Sequence, residues 1–73
     1  PYYASPEVWR DEPYDSRSDV WSFGCVMYEM AALETPFLAD NMEKLFEKVM
    51  KGIFKRIPKQ YSEDLWKVIK SMI

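Results

Sequence analysis

Residues 20–33 read VWSFGCVMYEMAAL, and eleven of these fourteen positions are apolar. The stretch is shorter than the roughly 18–20 residues that a membrane-spanning helix needs. Its apolar side chains fall on every face of a helix, which is typical of a helix buried in the core of a larger protein. Gly24 lies in the middle, where glycine costs about 1 kcal/mol relative to alanine, so we expect another backbone to pass close to it. The pattern predicts a central buried helix over residues 16–34, beginning near Asp15 to Ser18.

Three further helical segments flank this helix, and no strand pattern is present. Ser5, Pro6 and Glu7 combine an N-cap residue, a first-turn proline and a first-turn acid, so a short turn is expected over Pro6–Trp9 within the segment 1–15. A second helix is predicted over residues 40–52, with Asp40 as N-cap, Glu43 returning a reciprocal bond, and Gly52 at its end. The fold class is therefore mainly α.

The last helix is predicted over residues 62–73, with Ser62 as N-cap. Both later helices carry one apolar face. These faces consist of Met42, Leu45, Phe46, Val49 and Met50 in the first, and of Leu65, Val68, Ile69, Met72 and Ile73 in the second. Two such helices leave one side of the central helix uncovered.

Composition excludes several classes of function. The 73 residues carry a formal net charge of −2, with no histidine and one cysteine, Cys25. These counts give no support for a basic face that binds nucleic acid, and they exclude a zinc ligand set and an internal disulfide. We predict no membrane partner and an intracellular, cytoplasmic location, with Cys25 as a small buried apolar side chain.

The apolar load is large for a chain of this length, because a small globule buries only about 60% of its unfolded surface. The chain starts at Pro1 rather than methionine and ends in an apolar run at Ile73. We therefore expect it to be the inner part of a larger helical lobe, and to aggregate or remain molten when isolated. A sharp calorimetric transition of the isolated chain in dilute buffer would contradict this expectation.

Several motifs resemble the C-terminal lobe of eukaryotic protein kinases, and the resemblance extends over the whole chain. They are Ser5-Pro6-Glu7, Ser18-Asp19-Val20-Trp21-Ser22-Phe23-Gly24, Tyr28-Glu29-Met30 and Pro36-Phe37. The resemblance implies the end of the activation segment followed by the F, G and H helices. The entry through Pro1-Tyr2-Tyr3 is similar to the serine/threonine type. Phe37 to Met42, Ile57-Pro58 and Tyr61-Ser62 further resemble the NIMA-related kinase group.

The resemblance implies a substrate-pocket loop made of Tyr2, Tyr3, Ala4 and Ser5. Such a loop would accept the substrate residue that follows the phosphorylated Ser or Thr. The alternative is that both tyrosines simply pack on the central helix. Glu29, in the apolar helix, is either a substrate-facing carboxylate or the acceptor of a structural hydrogen bond.

Four residues are implied to have supporting roles, namely Glu7, Asp19, Trp21 and Gly24. By resemblance, Glu7 pairs with an arginine beyond Ile73, for which Arg10 or Arg17 could substitute in the isolated chain. Asp19 would hold backbone amides of the catalytic loop, since a carboxylate accepts several N–H bonds at once. Trp21 and Gly24 share a helix face. The Trp21 indole would pack beside the activation segment, and another backbone would pass close to Gly24. The alternative for Glu7 and Asp19 is an exposed first-turn acid.

The motifs that carry phosphoryl transfer are absent from the sequence. The only glycines are Gly24 and Gly52, and neither a His-Arg-Asp nor an Asp-Phe-Gly run is present. We therefore predict no catalytic, cofactor-binding or metal-binding residue here, and expect ATP and Mg²⁺ only for a longer parent. The leading hypothesis is part of a serine/threonine protein kinase whose partners are a protein substrate and the rest of its own kinase domain. The alternative is a catalytically inactive lobe that serves as a protein–protein interaction module.

Overall fold

Four helices and no strand make up the regular structure of residues 2–13 and 15–73, the part of the chain described by this computed structural model. They are α1 (Pro6–Trp9), α2 (Ser16–Ala32), α3 (Met42–Lys51) and α4 (Glu63–Met72). The mainly helical class is confirmed. Pro1 and Tyr14, which belong to the predicted segment 1–15, lie outside the described residues.

The ends of α2 and α4 follow local capping chemistry. Asp15 caps α2, its side chain accepting a hydrogen bond from the Arg17 backbone N–H at 2.9 Å. The helix ends at Ala32, after which Leu33 adopts a left-handed conformation with φ of 64°. Ser62 caps α4 as predicted, with its hydroxyl accepting from the Leu65 N–H at 3.1 Å. Short polar side chains at these positions satisfy backbone donors that a helix start leaves unpaired.

The start of α3 corrects the sequence prediction. Asn41, rather than Asp40, is the N-cap, and its side-chain oxygen accepts from the Lys44 N–H at 2.9 Å. A reciprocal capping bond requires the acid three residues after the cap. Glu43 lies only two residues after Asn41, so the predicted pairing is wrong. Gly52 ends the helix in the left-handed conformation, with φ of 66°, as expected of a helix-terminating glycine.

One face of α2 packs against α4, and Gly24 lies in this contact. A Cβ built on Gly24 would be 2.6 Å from the Met72 Cβ and 3.0 Å from the Ile73 Cγ1. The Met72 Cβ is bonded directly to the α4 backbone, so α4 passes α2 at a distance that only a residue without a side chain permits.

A second face of α2 is uncovered in the described part of the chain. Phe23 is 55% exposed and Met30 is 71% exposed, and Val20, Val26 and Leu33 are exposed as well. These side chains recur at helical spacing and form one apolar stripe. The prediction of a bare side on the central helix is confirmed, but the prediction of two covering helices is wrong, because α4 packs on α2 whereas α3 packs against α1.

Two clusters of buried side chains form the core. The first consists of Tyr28, Ile57, Trp66 and Ile69, and the second of Phe37, Leu45 and Val49. Phe54 packs against both, with its ring edge-on to Phe37, Tyr28 and Trp66 at centroid distances of 5.6, 5.8 and 5.9 Å. Edge-to-face pairs of this kind add to the burial of apolar area.

The side chains that α3 and α4 bury differ in part from the predicted apolar faces. Leu45 and Val49 are buried, whereas Met42 of the same predicted stripe is exposed. In α4, Val68 is 45% exposed, and Trp66, outside the predicted face, is 8% exposed. The indole contacts the Phe54 ring, and the cations of Arg56 and Lys70 lie 5.8 and 5.6 Å from its ring centroid. Cation and aromatic contacts therefore turn a position outside the simple apolar stripe into core.

Within residues 2–13 and 15–73, no helix has both the length and the hydropathy required to cross a bilayer.

Candidate substrate-pocket loop and its support on helix α2

The loop before α1 presents two tyrosines to solvent and then turns inward. Tyr2 and Tyr3 are exposed, Ala4 is half-buried, and Ser5 is 1% exposed. The Trp9 N–H donates to the Ser5 carbonyl at 3.0 Å, which forms the first turn of α1. The four residues predicted as the substrate-pocket loop thus run from two exposed tyrosines to a buried serine at the start of α1.

Tyr3 is fixed to α2 at two points. Its hydroxyl donates to the Glu29 carboxylate, lying 3.0 Å from Oε2 and also bonded to Oε1, and its carbonyl accepts from the Ser22 hydroxyl at 2.7 Å. The bond to Glu29 raises the pKa of the Tyr3 hydroxyl, because ionisation would remove the donor and place a phenolate beside a carboxylate. Side chain and backbone of one loop residue are therefore held by the same helix.

Glu7 is fixed to α2 in a similar way. The Ser18 hydroxyl donates to Glu7 Oε2 at 2.7 Å, and this bond lowers the pKa of the Glu7 carboxyl. Arg10 pairs instead with Glu12, Nε to Oε1 at 2.7 Å, and no ion pair joins Glu7 to an arginine within the described ranges. The expectation that Arg10 or Arg17 substitutes as the partner of Glu7 is therefore wrong: a hydroxyl on the adjacent helix is close enough to take that place.

The anchors on α2 form a polar stripe, of which sequence reasoning identified Glu29 and missed Ser18 and Ser22. Ser18, Ser22 and Glu29 are separated by four and seven residues, so they lie on one face of the helix. Each accepts from or donates to the N-terminal segment, through Glu7 or Tyr3. The signal was available, since polar residues recurring at helical spacing in an otherwise apolar helix indicate a face that meets hydrogen-bonding partners.

The remaining predicted support residues lie on other parts of α2. Trp21 stacks on Phe37, with ring centroids 5.8 Å apart and planes inclined by 6°, and its Nε1 is buried without a hydrogen-bond partner among the described residues. Asp19 is exposed in the first turn, where no described side chain bonds to it. Gly24 faces α4. The structure thus brings Tyr3 and Glu7 onto the face of α2 that carries Glu29, whereas Asp19 bonds to neither of them.

The residues of this site can hold a loop in position, but they offer neither a reactive nucleophile nor a metal site. Cys25 is fully buried, and burial raises the pKa of its thiol to about 12, which removes it as a nucleophile. Among residues 2–13 and 15–73, no three His, Cys, Asp or Glu side chains come together as a metal site. What the site does provide is an aromatic loop whose position is set by hydrogen bonds to a helix.

Comparison with known proteins gives matches along the entire chain. The sequence profile described as "Protein kinase domain" matches residues 1–73. The "Probable serine/threonine-protein kinase nek2" of Dictyostelium discoideum is 53% identical over 73 residues, all of this chain and 18% of that protein. Human "Serine/threonine-protein kinase Nek2" is 44% identical and mouse "Serine/threonine-protein kinase Nek3" 41% identical, each over the whole chain. The chain spans 16% and 14% of the length of these two relatives.

Proposed function

This chain belongs to the protein kinase domain family, and from that premise we propose that it is the part of a serine/threonine kinase that positions the protein substrate. Its relatives named above are NIMA-related serine/threonine kinases. The parent would transfer the γ-phosphoryl group of ATP to a Ser or Thr hydroxyl of a protein. By resemblance, α2, α3 and α4 would be the F, G and H helices of the C-terminal lobe.

The observation that carries this proposal is the double attachment of Tyr3 to α2. A loop that must receive a peptide benefits from being held in place before binding, because less freedom is then lost on association. The hydroxyl bond to Glu29 and the carbonyl bond from Ser22 fix both the side chain and the backbone of Tyr3. We therefore assign Tyr2–Ser5 as the pocket wall and Glu29 as a residue that positions Tyr3.

The other support residues act at a distance from the substrate in this proposal. Gly24 lets α4 approach α2, Trp21 stacks on Phe37, and Glu7 connects α1 to α2 through Ser18. Asp19 is exposed and would accept backbone amides of a catalytic loop elsewhere in the parent. The uncovered stripe of α2 would pack against the rest of the kinase domain, which makes that domain the chain's first partner.

The described residues do not fit a nucleotide or Mg²⁺ site. Phosphoryl transfer uses a cover over the phosphates, a lysine that pairs with them, metal-binding carboxylates and a catalytic aspartate. No cluster of metal ligands is present in the described ranges, and the sequence lacks the corresponding motifs. We therefore assign ATP and Mg²⁺ to the parent, and expect the isolated chain to be inactive.

Kinetics of the kinase domain that carries this chain test the assignment. Tyr3→Phe removes the donor to Glu29, so we expect the KM for a Ser/Thr-containing peptide to rise several-fold while the KM for ATP stays unchanged. Glu29→Gln keeps an acceptor for the Tyr3 hydroxyl and should retain more peptide affinity than Glu29→Ala. Tyr61→Phe is the matched control, since it removes a tyrosine hydroxyl that lies outside the pocket loop and forms no hydrogen bond within the described residues.

Equal peptide KM values for Tyr3→Phe and Tyr61→Phe would contradict the positioning role. A wild-type domain that binds protein partners but transfers no phosphate would favour the inactive interaction module instead.

A further inference from the structure

Two side-chain contacts join α1 to α3, next to the substrate-pocket loop. The Trp9 ring lies edge-on to the Phe46 ring, with centroids 5.7 Å apart. At the following residue, Arg10 Nη1 donates a hydrogen bond to the Met50 sulfur at 3.6 Å. Because α1 begins directly after the loop Tyr2–Ser5, these contacts hold the segment from which the loop extends.

The guanidinium of Arg10 distinguishes Met50 from the other methionines. Among the described residues, no other methionine sulfur accepts a hydrogen bond. Met42 on the same helix is 55% exposed and Met30 is 71% exposed, whereas Met50 is half-buried against the cluster of buried side chains on α3. The Arg10 side chain is 50% exposed. The Met50 sulfur therefore lies at the edge of the core, with a cation on the side that faces solvent.

Arg10 can bind an oxygen at this sulfur without releasing its other partner. Its Nε is bonded to Glu12 Oε1 at 2.7 Å, which leaves Nη1 for Met50. A thioether sulfur is only a weak acceptor. An oxygen bonded to the sulfur would be a stronger one, and the 3.6 Å between Nη1 and the sulfur leaves room for it beside the line that joins them. It would then lie about 2.7–2.9 Å from Nη1, the length of a charge-assisted hydrogen bond.

We propose that Met50 is a site of reversible oxidation by peroxide, and that Arg10 binds the resulting sulfoxide and so attaches α1 more firmly to α3. A sulfur lone pair attacks one oxygen of hydrogen peroxide, and the O–O bond breaks. The leaving hydroxide takes the proton of the transferred oxygen and becomes water. The sulfur is oxidised by two electrons and the peroxide is reduced by two. Methionine sulfoxide reductases reverse the oxidation.

The consequence for peptide binding rests on the proposed function of the pocket loop. Firmer attachment of α1 leaves the loop less freedom to lose when a peptide binds. Oxidation of Met50 should therefore lower the KM for the peptide. The decrease should be at most about fivefold, the upper limit for one exposed contact to a charged group.

The stereochemistry of the sulfoxide tests the modification. Oxygen on one or the other sulfur lone pair gives two epimers, and each of the two reductases reduces only one of them. The kinase domain that carries this chain is treated with hydrogen peroxide and digested, and the fragments are analysed by mass spectrometry after each reductase. One reductase should act on most of the Met50 sulfoxide, whereas each should reduce about half at Met42, the control on the same helix.

Substitution of the cation provides the second comparison. Arg10→Leu removes every donor from this exposed position, so both epimers should form at Met50, and Arg10→Lys should restore part of the preference. The proposal is overturned if peroxide leaves Met50 unmodified in the native domain, if the two epimers form there equally, or if Arg10→Leu leaves their ratio unchanged.

Peptide kinetics test the effect on the loop. The KM for a Ser/Thr-containing peptide should fall on oxidation of the wild type but not of Met50→Leu, which is treated in parallel and controls for oxidation elsewhere in the domain. An equal change in both overturns the effect on the loop. A domain that transfers no phosphate would refute the kinase assignment, while the epimer ratio at Met50 would still decide the modification.

Discussion

Replacing Gly24 by alanine measures how tightly α4 is packed on α2. The added Cβ would lie 2.6 Å from the Met72 Cβ, whereas carbon atoms in favourable contact are about 3.5–4.0 Å apart. The Met72 Cβ does not move by side-chain rotation, so α4 must shift by about 1 Å. Overpacking of this kind costs about 1–3 kcal/mol, and the better helix propensity of alanine returns about 1 kcal/mol. We expect the free energy of unfolding to fall by about 1 kcal/mol.

A double-mutant cycle separates this contact from a general effect of losing glycine. Urea unfolding of the kinase domain that carries this chain is compared for Gly24→Ala, Ile73→Ala and the combination. Ile73→Ala removes the Cγ1 that would lie 3.0 Å from the new Cβ, so part of the cost should disappear in the double variant. A coupling free energy of about 0.5 kcal/mol or more is expected for residues in contact.

The matched control is Gly52→Ala, combined with the same Ile73→Ala. Gly52 has a φ of 66° and nothing within 4 Å of a built Cβ. Alanine there costs about 1–2 kcal/mol through the left-handed backbone alone, so no coupling to Ile73 is expected. If Gly24→Ala stabilises the domain by the full propensity gain, or shows no coupling to Ile73, the close approach of α4 is refuted.

Three further predictions concern single groups. The Ser18 hydroxyl lowers the pKa of Glu7 from its ordinary value of 4.5, so this bond stabilises the fold above pH 4.5 and the stabilisation is lost as the pH falls through the lower folded pKa. Glu7→Gln should therefore make the free energy of unfolding less dependent on pH at the acid end. An unchanged pH dependence would contradict the contact. Cys25 is buried and the pKa of its thiol is raised to about 12, so it should react with a thiol reagent at pH 8 only as fast as the domain unfolds. Rapid labelling of the native domain would show that Cys25 is not buried. Ser62→Ala should lower the free energy of unfolding by about 1 kcal/mol through loss of the α4 cap. Urea unfolding measures this change, with Ser71→Ala as the control. Equal effects of the two substitutions would count against the cap.

The helices were predictable from sequence because each has a local signal. Ser62 and Gly52 mark a helix start and a helix end by the chemistry of unpaired backbone groups. The choice between Asp40 and Asn41 was not predictable, since both are good N-caps and the backbone conformation of the incoming chain selects one. Trp66 was missed because its burial depends on partners from the segment before α4, which a single-helix pattern does not contain.

In the candidate site as well, sequence indicates the segment involved, whereas its contacts depend on the folded chain. The resemblance indicated the loop Tyr2–Ser5, and sequence offered packing of its tyrosines on the central helix and a structural hydrogen bond to Glu29 only as alternatives, without naming Ser18 or Ser22 as partners. Ser22 and Ser18 are separated from their partners by 19 and 11 residues, so only the folded chain brings them together. The substitution of Arg10 or Arg17 as the partner of Glu7 failed for a related reason, because the Ser18 hydroxyl that bonds to Glu7 comes from another helix. The arginine implied beyond Ile73 stays a prediction.

The position of Phe54 affects how the segment between α3 and α4 tolerates insertions. Irregular connections usually accept added residues more readily than helices do. This connection is divided, since Phe54 and Ile57 belong to the core whereas Pro58, Lys59 and Gln60 are exposed. Added residues at 58–60 would extend into solvent, while a single residue added between 54 and 57 would pull an aromatic ring out of contact with both clusters. Length variation among related chains is therefore expected to concentrate in the second half of this connection.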